Sequence, residues 1–443
     1  MNGKKSIHII SGGTIQHIAT HLALCAPAYG GTGRQLLNIC HSYCEELEVV
    51  LHETKMVTGT PVHQRNSGIW YGSRLETNED VDRLIGRIVE DLSVKILFMP
   101  VALCDFKPHA IGGLLLDEKS DGFWSDREFS KTGPRLNTSS FSQENPLGLQ
   151  LVPAEKIIKK VRAKRKDIFL VGFKTTDGMT EDQMYIAGLG LLKGASCNLV
   201  LANDMKTRLN MVITPEEARY HVTDDRYQAL KGLVEMAKLR SHLTFTRSTV
   251  VAGEPVPWSD PVVPQALREV VNFCIAQNAY KPFRGATVGH FAAKLSQDTF
   301  ITSQRKTNFN DLDKIGLVRI KTDGPDTVLA YGAKPSVGGQ SQRIVFSEHP
   351  EYDCIVHFHC PLKPESNVPT VSQREYECGS HQCGQNTSNG LKKYWENGHT
   401  FSAVYLDQHG PNIVFNSKID PRIIIEFIKE NFDLTAKTGG YVS

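Results

Sequence analysis

The chain has 443 residues, too many for one ordinary core, so two or three domains are expected. Its net charge of +2 argues against a general nucleic-acid binder, which carries a basic stripe. No apolar run reaches the ~18–20 residues of a membrane span, and ten cysteines without a framework spacing fit a reducing cytosol.

Ser6–Ile10 is an apolar run ending in a glycine turn, which reads as a first strand and not as a signal peptide. Ser11-Gly12-Gly13-Thr14 then forms a loop whose backbone N–H groups can approach an anion. A second cluster, Gly30-Gly31-Thr32-Gly33, opens a helical pattern over 34–46. A strand over 47–51, a helix over 81–92 and a strand over 94–101 follow. This alternation predicts a Rossmann-like, doubly wound parallel sheet of the α/β class, with ligands at the carboxyl ends of the strands. The loops after Ile10, Val101, Val171 and Leu201 carry Gly12-Gly13, Cys104-Asp105, Phe173-Lys174 and Asn203-Asp204. Together they suggest a nucleotide or a nucleotide-like ligand. The basic run 159–166 reads as a solvated helix face.

The order of these motifs resembles the phosphopantothenate–cysteine ligase family over roughly residues 5–240. The matching pieces are Ser11–Thr14, Cys104–Pro108, Phe129–Asn137, Leu151–Lys156, Val171–Lys174 and Ala202–Asp204. The resemblance implies ligation in two steps. A carboxylate attacks the α-phosphate of ATP or CTP with Mg²⁺, and an amine then displaces the nucleotide. It also implies roles: Gly12, Gly13 and Thr14 around phosphate, Asp105, Phe173, Lys174 and Asn203 on the nucleotide, and Lys193 on phosphate. Lys131, or Arg135 in its place, would be the mobile catalytic cation. One departure matters: Ala26 stands where the family has an Asn that steadies the acyl intermediate, and alanine has no donor for an oxyanion. The insertion Ile111–Ser125 has no family counterpart and reads as a mobile flap.

Tyr220–Leu239 has helical periodicity and closes a first domain, 1–241. Residues 242–264, punctuated by Pro255, Pro257, Pro261 and Pro264, read as a linker or an extended strap. A second domain, 265–443, opens with an amphipathic helix over 264–278. Hairpins follow over 287–302 and 317–331, then a helix through Phe346, so an α+β domain is expected. Its centre is Y-D-C-I-V-H-F-H-C-P, Tyr352–Pro361. His357 and His359, two apart on a strand, share a face and form half of a metal site. His409, in another apolar run ending in His-Gly, is the best third ligand, with Zn²⁺ or another divalent ion expected. Cys378, His381 and Cys383 leave a second metal cluster open, although their spacing matches no common zinc motif.

This order resembles the class II aldolase/adducin family over roughly 265–435, through Gly289-His290, Ile301–Arg305, Lys334–Gly338, His357-x-His359 and His409-Gly410. The resemblance implies an α/β/α fold and a three-His metal that polarises a carbonyl while a Glu moves protons. That Glu is replaced by Gly338. Glu375 or Glu377 would have to supply an acid or base. His290, Arg305, Ser336 and Arg343 are the candidates for a substrate anion. The expectation is a cytoplasmic fusion enzyme and homo-oligomer, dimer or tetramer, that binds small molecules and a nucleotide. It would couple a nucleotide-dependent carboxylate–amine ligase-like domain to a Zn-dependent lyase or isomerase. The alternative is a non-catalytic ligand-binding or scaffolding protein, which Ala26 and Gly338 favour.

Overall fold

The computed structural model describes residues 4–59, 75–113, 129–132, 135–136, 139, 141–144, 146–336 and 341–439. Most of the expected flap, part of 129–137, and Gly338 lie outside them. The chain divides into two compact units. The first is Met1–Thr175, Gly190–Asn203 and Thr223–Ala237; the second is Thr176–Leu189, Asp204–Val222 and Lys238–Ser443. A single cut after residue 241 is therefore too simple. Glu216 pairs with Arg240 and Glu217 with Lys437, and both ion pairs fall wholly within the second unit.

Ser6–Ser11 is buried along its whole length, as a strand covered on both faces must be. It pairs in parallel with Glu48–Glu53 and Val94–Met99, and Val94–Met99 pairs in parallel with Phe169–Thr176. The seven-stranded sheet runs Arg219–Thr223, Asn210–Ile213, Leu199–Asp204, Phe169–Thr176, Val94–Met99, Ser6–Ser11, Glu48–Glu53. The helix Asn78–Glu90 starts with a capping box: the Thr77 hydroxyl accepts from the Asp80 N–H, and the Asp80 carboxylate accepts from the Thr77 N–H. Its inward face carries Val81, Leu84, Ile85, Ile88 and Val89.

Among the described residues the second sheet has ten strands. Its order is Arg247–Val251, Thr327–Tyr331, Val318–Thr322, Thr299–Thr302, His290–Lys294, Cys354–His357, Gly410–Phe415, His399–Leu406, Thr370–Val371, with Lys392–Glu396 beside His399–Leu406. Side chains alternate between its faces with a period of two. Phe291, Ala293, Cys354, Val356, Ile413 and Phe415 face one core, which takes in the helices Gln265–Ala276 and Pro421–Asn431. Ala292, Ile355 and Val414 face the other, under Val345 and Phe346 of the helix Ser341–Glu348. The result is three layers, helix–sheet–helix.

The segment expected as a linker is part of this unit. Arg247–Val251 pairs in parallel with Thr327–Tyr331. Val256 exchanges both backbone hydrogen bonds with Leu317 (2.8 and 2.8 Å), and Trp258 and Val263 are core residues. Pro255 and Pro257 remove two donors, but Val256 between them keeps both polar groups, so the prolines shape the strap without freeing it.

Candidate functional site

The strand Cys354–His357 ends at His357, and His359 lies just beyond it. His409 stands in the turn between His399–Leu406 and Gly410–Phe415, with its N–H on Leu406 O (2.9 Å). Gly410 makes the convergence sterically allowed. Its φ is +151°, and a Cβ there would lie 2.0 Å from Phe358 O and 3.3 Å from His359 Cα. Only glycine lets the hairpin end lie against the Phe358–His359 backbone. Gly289 acts likewise on the other side: at φ +121°, a Cβ would sit 2.6 Å from His357 O.

All three histidines are buried, and one ring nitrogen from each lies within 4.8 Å of the others. His357 Nδ1–H donates to Pro411 O (2.7 Å), which directs its Nε2 lone pair inward. That Nε2 is 3.2 Å from His409 Nε2. Two nitrogens on one tetrahedral zinc lie about 3.3 Å apart, so the spacing and the neutral, buried donors fit a divalent metal. Burial also pushes the His357 imidazole down to about 4, keeping it neutral and able to ligate near pH 7. Among the described residues this is the one cluster of metal-ligating groups. The second cluster left open by the sequence does not form among them. His381 bonds Thr246 (2.8 Å) and lies 3.6 Å from Asp326, while Cys383 is buried against Gln373.

The anion candidates separate in space. His290 faces His357 across the ladder, their rings stacked at 4.6 Å. Gln342 donates to His290 Nδ1, and Thr302 donates to the Gln342 amide oxygen (3.4 Å). Gln342 is a supporting residue the sequence reading missed; its position just beyond Lys334–Gly338 was the available signal. Ser336 N–H is held on Ser303 O (2.9 Å), and Arg305 N–H on Lys334 O (2.9 Å), with the Arg305 side chain exposed. Ser303 was also missed; its buried hydroxyl has no hydrogen-bond partner among the described residues. Arg343 differs from expectation: it donates to Gly324 O and Pro325 O (3.3 and 3.4 Å), so it braces a hairpin tip. Glu377 acts on the buried Arg240, whose partner is Glu216 at 3.0 Å, and does not join the histidines as a ligand. The Glu375 carboxylate takes the Ser372 hydroxyl.

In the first unit, the glycine loop serves packing. A Cβ on Gly12 would lie 2.2 Å from Thr54 Oγ1, and one on Gly13 would lie 1.9 Å from Ala26 O. Thr14, expected beside phosphate, is fully buried. Its hydroxyl donates to Asn78 Oδ1 (2.7 Å) and accepts from Cys104 N (3.0 Å), while its N–H goes to Ala102 O (2.9 Å). Its polar groups are thus used to join two loops. Phe173, Lys174 and Asn203 sit half-buried at the ends of neighbouring strands, with Thr175 bonded to Asn203 (3.3 Å). Asp105 is exposed and paired with Lys156, and Lys193 is half-buried on the helix Glu181–Ala195. Lys131 is not loose: its ammonium holds Glu76 (2.9 Å). Lys55, and then Lys131, push the Glu76 carboxyl down to about 2. Arg135 is exposed.

No protein-family model matches the chain. Over 61 residues it is 39% identical to the Coenzyme A biosynthesis bifunctional protein CoaBC of Thermococcus kodakarensis. That match covers 14% of this chain and 15% of the relative, so the chain spans only a small part of the curated relative it matches. Among solved structures it is similar to the DNA/pantothenate metabolism flavoprotein from Streptococcus pneumoniae, with TM-score 0.42 and 19% identity over 53% of this chain and 100% of that one. It is also similar to an L-fuculose 1-phosphate aldolase, with TM-score 0.28 and 14% identity over 37% of this chain and 81% of that one. Among the described residues, no helix is long and apolar enough to cross a membrane.

Proposed function

We propose that the second unit is a divalent-metal enzyme, a lyase or isomerase for a small acidic or phosphorylated carbonyl compound. We propose further that the first unit handles a nucleotide, ATP or CTP with Mg²⁺, as a carboxylate–amine ligase does. The convergence of His357, His359 and His409 carries the first reading. Three imidazoles leave an open position, and a divalent ion held there would supply Lewis-acid polarisation of a substrate oxygen. The protein's own residues do the rest. Pro411 O fixes the His357 tautomer. Gln342, donating to His290 Nδ1, leaves His290 Nε2–H as a donor for a substrate oxygen. With Arg343 engaged elsewhere, His290, Arg305 and Ser336 are the groups left to hold an anion.

The test is metal content of protein purified without added metal, beside His357→Ala. About one zinc per chain, lost in the variant, supports the reading; metal-free wild type removes it. The nucleotide reading rests on the strand-end residues Phe173, Lys174 and Asn203 and on the short CoaBC match. Calorimetric titration with ATP and CTP tests it. Ala26, with no side-chain donor, favours a second reading for this unit alone, in which a nucleotide is bound without ligation. In that case single-turnover assays with a nucleoside triphosphate release no pyrophosphate. We also propose a homo-oligomer, dimer or tetramer, which light scattering would reveal.

A further inference from the structure

The strand Val318–Thr322 alternates buried and exposed residues, so Arg319 and Lys321 project from one face of the second sheet. Thr299 lies opposite Lys321 in the register, and Tyr331 ends the next strand. The segment 253–260 crosses the same face and is pinned at both ends. At one end Gly332, at φ +80°, donates to Val251 O (3.0 Å), and a Cβ on it would lie 2.5 Å from Gly253 O. At the other, Val256 is locked to Leu317, and a Cβ on Gly316 would lie 2.5 Å from Val256 O.

Between the pins lies a cavity of about 540 Å³, lined by Arg319, Lys321, Thr299, Tyr331, Glu254 and Asp260 among others. It falls in the range of small-molecule sites. None of the residues proposed above for metal, anion or nucleotide lines it. The charges are arranged unusually. Among the described residues neither Arg319 nor Lys321 is in ion-pair contact with a carboxylate, although the Lys321 charge, after the Ser296 and Thr299 hydroxyls, helps lower the Asp298 carboxyl and acids line the cavity. Asp260 accepts its own turn's Val262 N–H (2.9 Å). Asp298 accepts the hydroxyls of Ser296 and Thr299 (2.8 and 3.0 Å). Two cations two residues apart on one strand lie roughly 6.6 Å apart at Cα, a spacing one anion can bridge.

We infer that this strap-covered cavity binds a small phosphomonoester whose body carries an amine or hydroxyl. The phosphate sits between Arg319 and Lys321, where the hydroxyl of Tyr331 adds a donor; the Thr299 hydroxyl is already given to Asp298. A dianion with three oxygens gives each of these three groups an oxygen of its own, which a carboxylate with two oxygens does not. Glu254 and Asp260 line the same space and repel a bare anion, but they accept from an amine or hydroxyl on the body. The inference is independent of the metal reading, since no metal-site residue is involved.

The test is calorimetric titration of the full chain with O-phosphoethanolamine and with inorganic phosphate at low salt. O-phosphoethanolamine should bind the tighter of the two. Arg319→Gln/Lys321→Gln should weaken its binding by about tenfold or more, the loss of one or two charge-assisted hydrogen bonds. Both side chains are exposed, so the variant should melt as the wild type does. Glu254→Gln should narrow the preference for O-phosphoethanolamine over phosphate, Asp260 still accepting from the amine. The inference is overturned if the wild type binds neither compound, if the double variant binds as the wild type does, or if Glu254→Gln leaves the preference undiminished.

Discussion

Two glycine-bearing loops, Gly12-Gly13-Thr14 and His409-Gly410, look alike in sequence and do different work. In both, a missing Cβ permits a backbone approach that no other residue allows: a Cβ would lie 1.9 Å from Ala26 O at Gly13 and 2.0 Å from Phe358 O at Gly410. In the first, the polar groups that the approach gathers are used internally: Thr14, Asn78 and Cys104 bond one another. In the second, the approach gathers three imidazoles with nitrogens turned towards one point. A glycine turn after a strand therefore marks close packing. Whether it marks chemistry depends on which polar groups remain available once the chain has folded.

The sharpest way to break this contrast acts behind the histidines. Thr438 N–H supports His359 O (3.0 Å), and its neighbour Lys437 is buried against Glu217. Lys437→Met takes the ammonium away from the buried Glu217 carboxylate and should cost about 3–5 kcal/mol. Urea unfolding should show that loss, and the metal dissociation constant should rise with it. Adding Glu217→Gln should recover much of the stability. A single variant as stable as wild type would mean the pair does not hold the tail.

Next come the glycines themselves. Gly410→Ala overpacks the hairpin end, at a cost of about 1–3 kcal/mol, and should abolish metal binding because His409 must move away. Gly13→Ala should cost a similar amount while leaving metal content unchanged. Metal lost from Gly13→Ala, or kept by Gly410→Ala, would collapse the distinction. Metal analysis beside thermal melts decides between them.

Much of this was legible in the sequence. Apolar runs with interspersed helical patterns gave the parallel strands, the runs over 287–302 and 317–331 gave two hairpins, and His-x-His with a later His-Gly pointed to three imidazoles that the fold brings together. What failed depended on tertiary contacts. The prolines of 255–264 hid Val256, whose two ladder bonds make the segment part of the fold. Tyr220 was read into a helix, yet it lies on the strand Arg219–Thr223, and the helix starts at Arg226. The same-face argument for His357 and His359 does not describe how they meet, since the strand stops at His357 and His359 lies beyond it. Arg343 and Glu377 have plausible chemistry in sequence, but carbonyl groups and a buried arginine claim them in space.

The two units also bury histidines differently, which pH sharpens. His8 and His52 bond each other (3.1 Å) on adjacent strands, and among the described residues no third metal-ligating side chain joins them. Burial lowers His8 to about 4. Burial, then the neighbouring His8 charge, lowers His52 to about 3. Unfolded histidines take up protons near pH 6.5, so below that pH the unfolded state binds more protons than the folded one. Stability should therefore fall as pH drops from about 6.5 towards 4. His8→Leu/His52→Phe should make that part of the curve shallower, the slope that remains belonging to other buried imidazoles such as His357. A curve equally steep in the double variant would place the acid sensitivity elsewhere.

The smallest effect tests the first loop directly. Thr14→Val removes a hydroxyl that donates to Asn78 and accepts from Cys104, at a cost of about 1–2 kcal/mol. If Thr14 only joins the loops, nucleotide affinity per folded molecule should stay within about twofold, because no interaction with phosphate is removed. If Thr14 cradles phosphate, affinity should fall by about tenfold with a similar stability loss. Calorimetry at a temperature where both proteins are fully folded separates the two. The buried, fully engaged hydroxyl favours the first outcome, which would move the search for the phosphate contact to Lys174, Lys193 and the strand ends beside Asn203.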